Sequence, residues 1–397
     1  MQARDSAVSV RGLRILMISD VYFPRINGVS TSIRNFRREL ADLGHEVTLV
    51  APHYGATDGD DPGIFRIPSR FIPIDPEDRL MKRGHIDALR STFEQLDFDI
   101  LHIQTPFVAH YAGVALSRRL GIPRVETYHT HFEEYLHHYL PLVPKSLMRR
   151  IARGFNRAQC NDVDGVIVPS QIMLDLLRGY GIDRPIEVIP TGVDDIFFRR
   201  GDGDKFRATH GVTSERPMLV HVGRLAHEKN IDFLLHMLHE LRAAIPDVML
   251  VIAGEGPAER HLRGLADRLQ LNGSVKFTGY LDRGSALLDC YAAGDAFVFS
   301  SKTETQGLVL LEAMAQGTPV VSVSELGTRD ILLEGQGAMV SPDHTGEFAT
   351  RVAKLLRDSG MRAWLASSAR NHARKWSSRR FAERKVEFYR KTIDASV

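Results

Sequence analysis

IPTGVDDIFF, residues Ile189–Phe198, stands near the middle of a 397-residue chain and breaks it in two. Pro190 and Gly192 punctuate a run that fits neither helix nor strand periodicity, as a hinge between two folded halves would. The same pattern lies on both sides of it. Upstream, Leu13–Ser19 (LRILMIS) reads as a buried strand, and Ser30–Leu43 follows with helical spacing at Ile33, Phe36 and Leu40 before Gly44 closes it. Val47–Ala51, Ile100–Ile103, Arg124–Thr127 and Gly165–Val168 are further strands. Downstream, Met218–Val222, Val248–Ala253, Ser274–Thr278, Ala296–Phe299 and Pro319–Val323 read as strands, with helices over 230–243, 258–270 and 307–316. Past Ser359 the chain turns helical and basic. Strands alternating with helices imply mostly parallel sheets covered on both faces. The expected fold is α/β: two doubly wound, Rossmann-like domains, 1–193 and 194–372, with a cleft between them and a terminal segment 373–397. Sheets of this kind bind ligands at the carboxyl ends of their strands, so a ligand is expected between the domains.

Each half is long enough to bury its own core. The formal charge is +2, and neither half is a basic platform, so no nucleic-acid partner is expected. Cys160 and Cys290 are the only cysteines, which argues against a disulfide framework and suits a reducing cytoplasm. The start, MQARDSAVSVRG, lacks the apolar core of a signal peptide. Apolar runs such as Val248–Ala253 fall far short of a bilayer span, so no crossing is expected.

Four loops carry candidate chemistry, and each also has a plain structural reading. In HVGRLAHEKN, Arg224 and Lys229 follow a strand; two cations there can neutralise a diphosphate, or simply be solvated. In ETQGLVLLE, the helix expected from Gly307 leaves the N–H groups of Gly307, Leu308 and Val309 free for an anion. Glu304 just before that helix can accept from sugar hydroxyls and Glu312 within it from ribose, or both can be ordinary helix charges. AGEGP places Gly254 in a tight turn after a strand, without the GxGxxG of a dinucleotide site. In NGVST, Gly28 permits close approach of a ligand and Ser30 can cap the next helix.

In this order along nearly the whole chain, the early Gly loop, YHT, PTGVD, GRLAHEKN, AGEGP, FTGYL and the two glutamates with seven residues between them resemble the family-4 retaining glycosyltransferases of the GT-B fold. The resemblance implies that Arg224 and Lys229 hold a donor diphosphate, Glu304 the donor sugar and Glu312 the ribose. It implies that Tyr280 and Leu281 flank the base, that His129 contacts a sugar or the acceptor, and that the last helix crosses back onto the first domain. No protein nucleophile, metal or other cofactor is implied.

ETYHTHFEEYLHHYLPLVP (Glu126–Pro144) also gathers His129, His131, His137 and His138, but HExxH is absent and no metal site is expected. The following segment carries Lys145, Arg149, Arg150, Arg153 and Arg157, with Arg149, Arg153 and Arg157 on one helical face and Leu147, Met148, Ile151 and Phe155 on another. A basic amphipathic helix suits an anionic membrane surface; equally, its apolar face can lie in the core with the basic face in water. YHTHFEEY with this helix, and ETQG, look like the glycosyltransferases that make diacylglycerol glycolipids. That likeness implies a UDP-glucose or UDP-galactose donor, a lipid acceptor and a place on the inner face of the cell membrane. GDP-mannose transfer to a phosphoinositide, and sugar-nucleotide epimerisation on the same architecture, are the competing expectations.

Overall fold

β1 (Arg14–Ile18) is buried apart from its first residue, with strands on either side, and this is why its sequence reads as an unbroken apolar run. The computed structural model describes residues 11–55, 61–72, 75–129 and 145–396. After β1 come β2 (Glu46–Pro52) and β3 (Ile64–Ile67), an antiparallel pair β4 (Ser69–Ile72) and β5 (Asp75–Met81), then β6 (Ile100–Ile103), β7 (Arg124–Thr127), β8 (Gly165–Val168) and β9 (Ile186–Val188). Seven of them form a parallel sheet in the order β3-β2-β1-β6-β7-β8-β9. The second half supplies β10 (Met218–Val222), β11 (Met249–Ala253), β12 (Val275–Gly279), β13 (Ala296–Phe299), β14 (Val320–Ser322) and β15 (Ala338–Val340). These make a parallel sheet in the order β12-β11-β10-β13-β14-β15. The fold is α/β of the GT-B type, with two doubly wound halves.

In each sheet the strand order reverses once, between β1 and β6 and between β10 and β13. Loops leaving the carboxyl ends on either side of such a reversal diverge and leave a crevice. The helix Gly28–Asp42 starts in the first crevice. Its cap is Asn27 rather than Ser30: Asn27 Oδ1 accepts from the Ser30 N–H (2.9 Å), while Ser30 Oγ accepts from the Asn27 N–H (2.9 Å). The two side chains satisfy donors in both directions, a capping box in which the expected cap residue is the reciprocal partner.

The linker is not a free tether. Val193 is buried, its N–H donates to the Trp376 carbonyl (2.8 Å), and Ser378 Oγ donates to the Val193 carbonyl (2.7 Å). Gly192 lies so close to this second crossing that a methyl group on it would stand 2.3 Å from Ser378 Cα. Beyond that crossing, the helix Ser378–Asp394 places Phe381, Ala382, Phe388 and Tyr389 in one core cluster with Ile15, Met17, Phe36 and Leu49.

Candidate active site

The loops that follow β10 and β13 are stitched together. Ser300 Oγ donates to the Asn230 carbonyl (2.8 Å) and Asn230 Nδ2 donates to the Ser300 carbonyl (3.2 Å). This fixes Lys229 opposite Glu304, and Lys229 Nζ donates to Glu304 Oε1 at 2.6 Å with both side chains mostly buried. Burial pushes the Glu304 carboxyl upward, but the Lys229 charge and hydrogen bond outweigh it and hold the group below its ordinary value. Glu304 is therefore an anion at neutral pH, with acceptor capacity beyond its one lysine contact.

Behind this pair lies a group the sequence did not reveal. His221, on β10, is fully buried and stacks on Phe297 and Phe299 while Nδ1 donates to the Val298 carbonyl (3.1 Å). Burial pushes its pKa down to about 4, so the ring stays neutral beneath Lys229.

Three residues beyond Glu304, Gly307 takes a left-handed conformation (φ 94°) and starts the helix Leu308–Gln316. A side chain there would be strained and would press on Leu310 and Thr328. No side chain caps the helix, so the N–H groups of Gly307, Leu308 and Val309 stand at a dipole end suited to an anion. Arg224 lies half-buried on the same loop as Lys229. Gly254 pairs with Gly279, its N–H donating to the Gly279 carbonyl (2.8 Å), and a methyl on it would lie 1.9 Å from the Gly223 carbonyl oxygen. Its glycine is thus accounted for by backbone packing between neighbouring loops. Tyr280 is half exposed, its N–H donating to Glu255 Oε1 (3.2 Å), and Leu281 packs on the second domain's core.

Glu312 is not a surface charge. It is buried; Arg283 Nη2 donates to one oxygen and Tyr291 Oη donates to the other (2.8 Å). Arg283, directly after FTGYLD, carries no motif of its own, and pairing across distant loops leaves no periodicity to detect.

Across the cleft, Gly28 faces open space. His129 follows β7, and its Nε2 meets Gln104 Oε1 at 3.0 Å. With that oxygen accepting, Nε2 carries the proton and Nδ1 is left as an acceptor. Burial, with Lys385 adding to it, pushes His129 down to about 3. The halves meet at this residue: Thr305 Oγ1, next to Glu304, donates to the His129 carbonyl (2.8 Å). The structure so brings His129, Glu304, Lys229 and the Gly307 helix start together where the halves meet. His131, His137 and His138 lie outside the described residues. Among the described residues no group of three or more His, Cys, Asp and Glu side chains is placed to hold a metal.

The basic helix Lys145–Asn161 is tied to the residue before His129, Asn156 Nδ2 donating to Tyr128 Oη (3.0 Å). Met148 and Ala152 are buried, whereas Leu147, Ile151 and Phe155 are 49%, 60% and 37% exposed. The apolar stripe faces out, not into the core, and Arg150, Arg153 and Arg157 are exposed beside it. The side chains of Lys145 and Arg149 lie outside the described residues. Among the described residues, no helix is long and apolar enough to cross a membrane.

Two family models match the chain: Glycosyltransferase Family 4 over residues 26–197 and Glycosyl transferases group 1 over residues 202–372. The α-monoglucosyldiacylglycerol synthase of Streptococcus pneumoniae is 36% identical over 322 residues, 78% of this chain and 71% of that protein. The chain belongs to glycosyltransferase family 4. A further relative of this family-4 glycosyltransferase is the sulfoquinovosyl transferase of Arabidopsis thaliana, 30% identical over 374 residues, 92% of this chain and 70% of that one. Among solved structures, the sucrose-phosphate synthase of Thermosynechococcus elongatus superposes with a TM-score of 0.79 at 20% identity, covering 96% of this chain and all of that one. The family-4 glycosyltransferase uses a nucleotide sugar, and its Streptococcus pneumoniae relative is by name a synthase of a glucosylated diacylglycerol.

Proposed function

We propose that this family-4 glycosyltransferase moves glucose, or galactose as a near variant, from its UDP donor to diacylglycerol at an anionic membrane surface, with retention of configuration. The observation that carries the reading is the Lys229–Glu304 pair set against the uncapped helix start at Gly307. As the bond between the sugar and the diphosphate breaks, negative charge grows on the leaving phosphate and positive charge on the anomeric carbon. Arg224, Lys229 and the N–H groups of Gly307, Leu308 and Val309 stabilise the first, and Glu304 holds the sugar hydroxyls. The acceptor hydroxyl attacks from the leaving-group side, and its proton passes to a phosphate oxygen of the departing UDP. His129 faces the sugar from the acceptor half, neutral, as a hydrogen-bond acceptor through Nδ1. Tyr280 and Leu281 border the base, and Glu312 serves the ribose end through Arg283, which retains 17% exposure. With these cations in place, the reading requires no divalent metal.

The outward apolar stripe of Leu147, Ile151 and Phe155 and its flanking arginines support a lipid-embedded acceptor, as does the name of the 36% identical relative. A panel of radiolabelled UDP-glucose, UDP-galactose and GDP-mannose tests this, using phosphatidylglycerol vesicles with diacylglycerol, with and without EDTA. Label is expected in a monohexosyl diacylglycerol from a UDP-sugar, EDTA having no effect. Transfer to water-soluble acceptors alone, or from GDP-mannose alone, would overturn the acceptor or the donor.

A further inference from the structure

We propose that Gln306 is a positioning residue that ties the donor-sugar loop to the interdomain linker, setting Glu304 and His129 as one unit. The inference rests on the donor site proposed above. Three consecutive side chains of the ETQG segment reach three different bodies. Glu304 takes the Lys229 ammonium within its own half. Thr305 donates to the carbonyl of His129 in the other half. Gln306 turns to the linker: its Nε2 donates to the Thr191 carbonyl (2.7 Å), and the Thr191 N–H donates to its Oε1 (2.8 Å).

Both residues are buried, so water cannot replace these bonds. A planar carboxamide is the side chain that supplies one donor and one acceptor side by side; glutamate at neutral pH has no donor, and an aliphatic chain has neither. The connection continues, since Thr191 Oγ1 donates to Ser32 Oγ (2.7 Å) on the helix whose first residue, Gly28, opens on the cleft. The segment is also backed rigidly. The Gly327 N–H donates to the Glu304 carbonyl (2.9 Å), and a methyl on Gly327 would stand 1.8 Å from the Thr305 carbonyl oxygen. With so little slack, a shift at Gln306 moves Glu304 two residues away. The Gly307 N–H follows Gln306 directly, but the charge that holds a diphosphate comes from Arg224 and Lys229 on the loop after β10, so nucleotide binding should change less than transfer.

The test is made on the full chain. Gln306→Met keeps length and apolar volume and removes both bonds. UDP affinity by calorimetry is expected to stay within about threefold, while kcat falls about 10- to 100-fold, the cost of a reacting group set out of line. Scattering with UDP is expected to show a different domain arrangement from that of the unsubstituted protein. Gln306→Glu places an oxygen anion against the Thr191 carbonyl, and protonation restores a donor. Its activity relative to the unsubstituted protein is therefore expected to rise as pH falls from about 8 to 6, because burial raises a carboxyl pKa. Unchanged kcat in a folded Gln306→Met protein overturns the inference. So does a kcat loss matched by equal losses of UDP affinity and thermal stability, which marks a packing role. Should Gln306→Met not fold, the pH profile of Gln306→Glu decides, and a flat ratio overturns the proposal. An unsubstituted protein that fails to bind UDP sinks the donor site instead.

Discussion

Lys229 and Glu304 hold each other charged in a place that favours neither charge alone. Removing either one leaves the partner buried and uncompensated, so each loss should cost stability as well as transfer, without changing the secondary structure. Lys229→Met and Glu304→Gln are each expected to lower turnover about 100-fold or more, with far-ultraviolet circular dichroism unchanged. Activity close to that of the unsubstituted protein in both would remove them from the site. A second residue-scale consequence concerns pH. His221 binds its proton near pH 4 when folded and near 6.5 when not, so below 6.5 the unfolded chain takes up the proton first and stability falls as pH drops. Asp20 has the opposite sign: burial raises it to about 7 from 3.8, so its contribution grows as pH falls across that window. His221→Gln is therefore expected to shrink the stability lost between pH 7 and 5 by about 2 kcal/mol, and Asp20→Asn to enlarge it, as read from urea midpoints. Identical slopes in all three proteins would refute both assignments. Sequence pattern exposed Lys229 and Glu304 because a cation and a carboxylate beside a Gly-started helix form a local pattern. It could not expose His221, Arg283 or Gln104, whose partners come from other strands and loops.

At the scale of elements, legibility followed burial. β10 and β13 match the strands read from the sequence residue for residue, because a strand covered on both faces must be almost wholly apolar, with His221 the one polar side chain in the two. β9 and β15, the edge strands opposite β3 and β12, are short, carry fewer such residues and escaped notice. The Lys145–Asn161 helix shows the reverse difficulty: periodicity groups Met148 with Leu147, Ile151 and Phe155, whereas in the structure Met148 meets the core and the other three do not. The structure turns Met148, Ala152, Asn156 and Cys160 inward and leaves Leu147, Ile151 and Phe155 outside. An outward apolar stripe lined by arginines predicts two separable contributions to membrane binding. Reversing Arg150, Arg153 and Arg157 to Glu should weaken sedimentation with phosphatidylglycerol vesicles about 100-fold or more, at roughly 1 kcal/mol per basic residue, and leave weak binding to neutral vesicles unaltered. Ile151→Ser with Leu147→Ser should weaken both. Binding that ignores all five substitutions would show that this helix is not the docking face.

At the scale of the whole molecule, the chain crosses between its halves twice, at Val193 and at Trp376–Ser378, and the two crossings bond to each other. The first crossing lies in IPTGVDDIFF, whose Pro and Gly break the periodicity; no such break marks the second, which in the sequence only the family resemblance implies. A terminal helix with an alternating basic surface reads the same wherever it docks, and its destination is decided by shape. Phe388 fills that destination: a methyl on Gly165 of β8 would stand 2.7 Å from its ring. The helix at the end of the chain is thus a structural part of the half at its start. Phe388→Ala should cost about 3–5 kcal/mol, the range for emptying a buried aromatic site, and that loss should fall on the first half. Hydrogen exchange reads the two sheets separately. Amides of β1, β7 and β8 should lose protection in the variant while those of β10, β11 and β13 keep theirs. Equal loss in both sheets would mean that the halves unfold as one unit and that the returning helix stabilises the whole chain rather than the domain it covers.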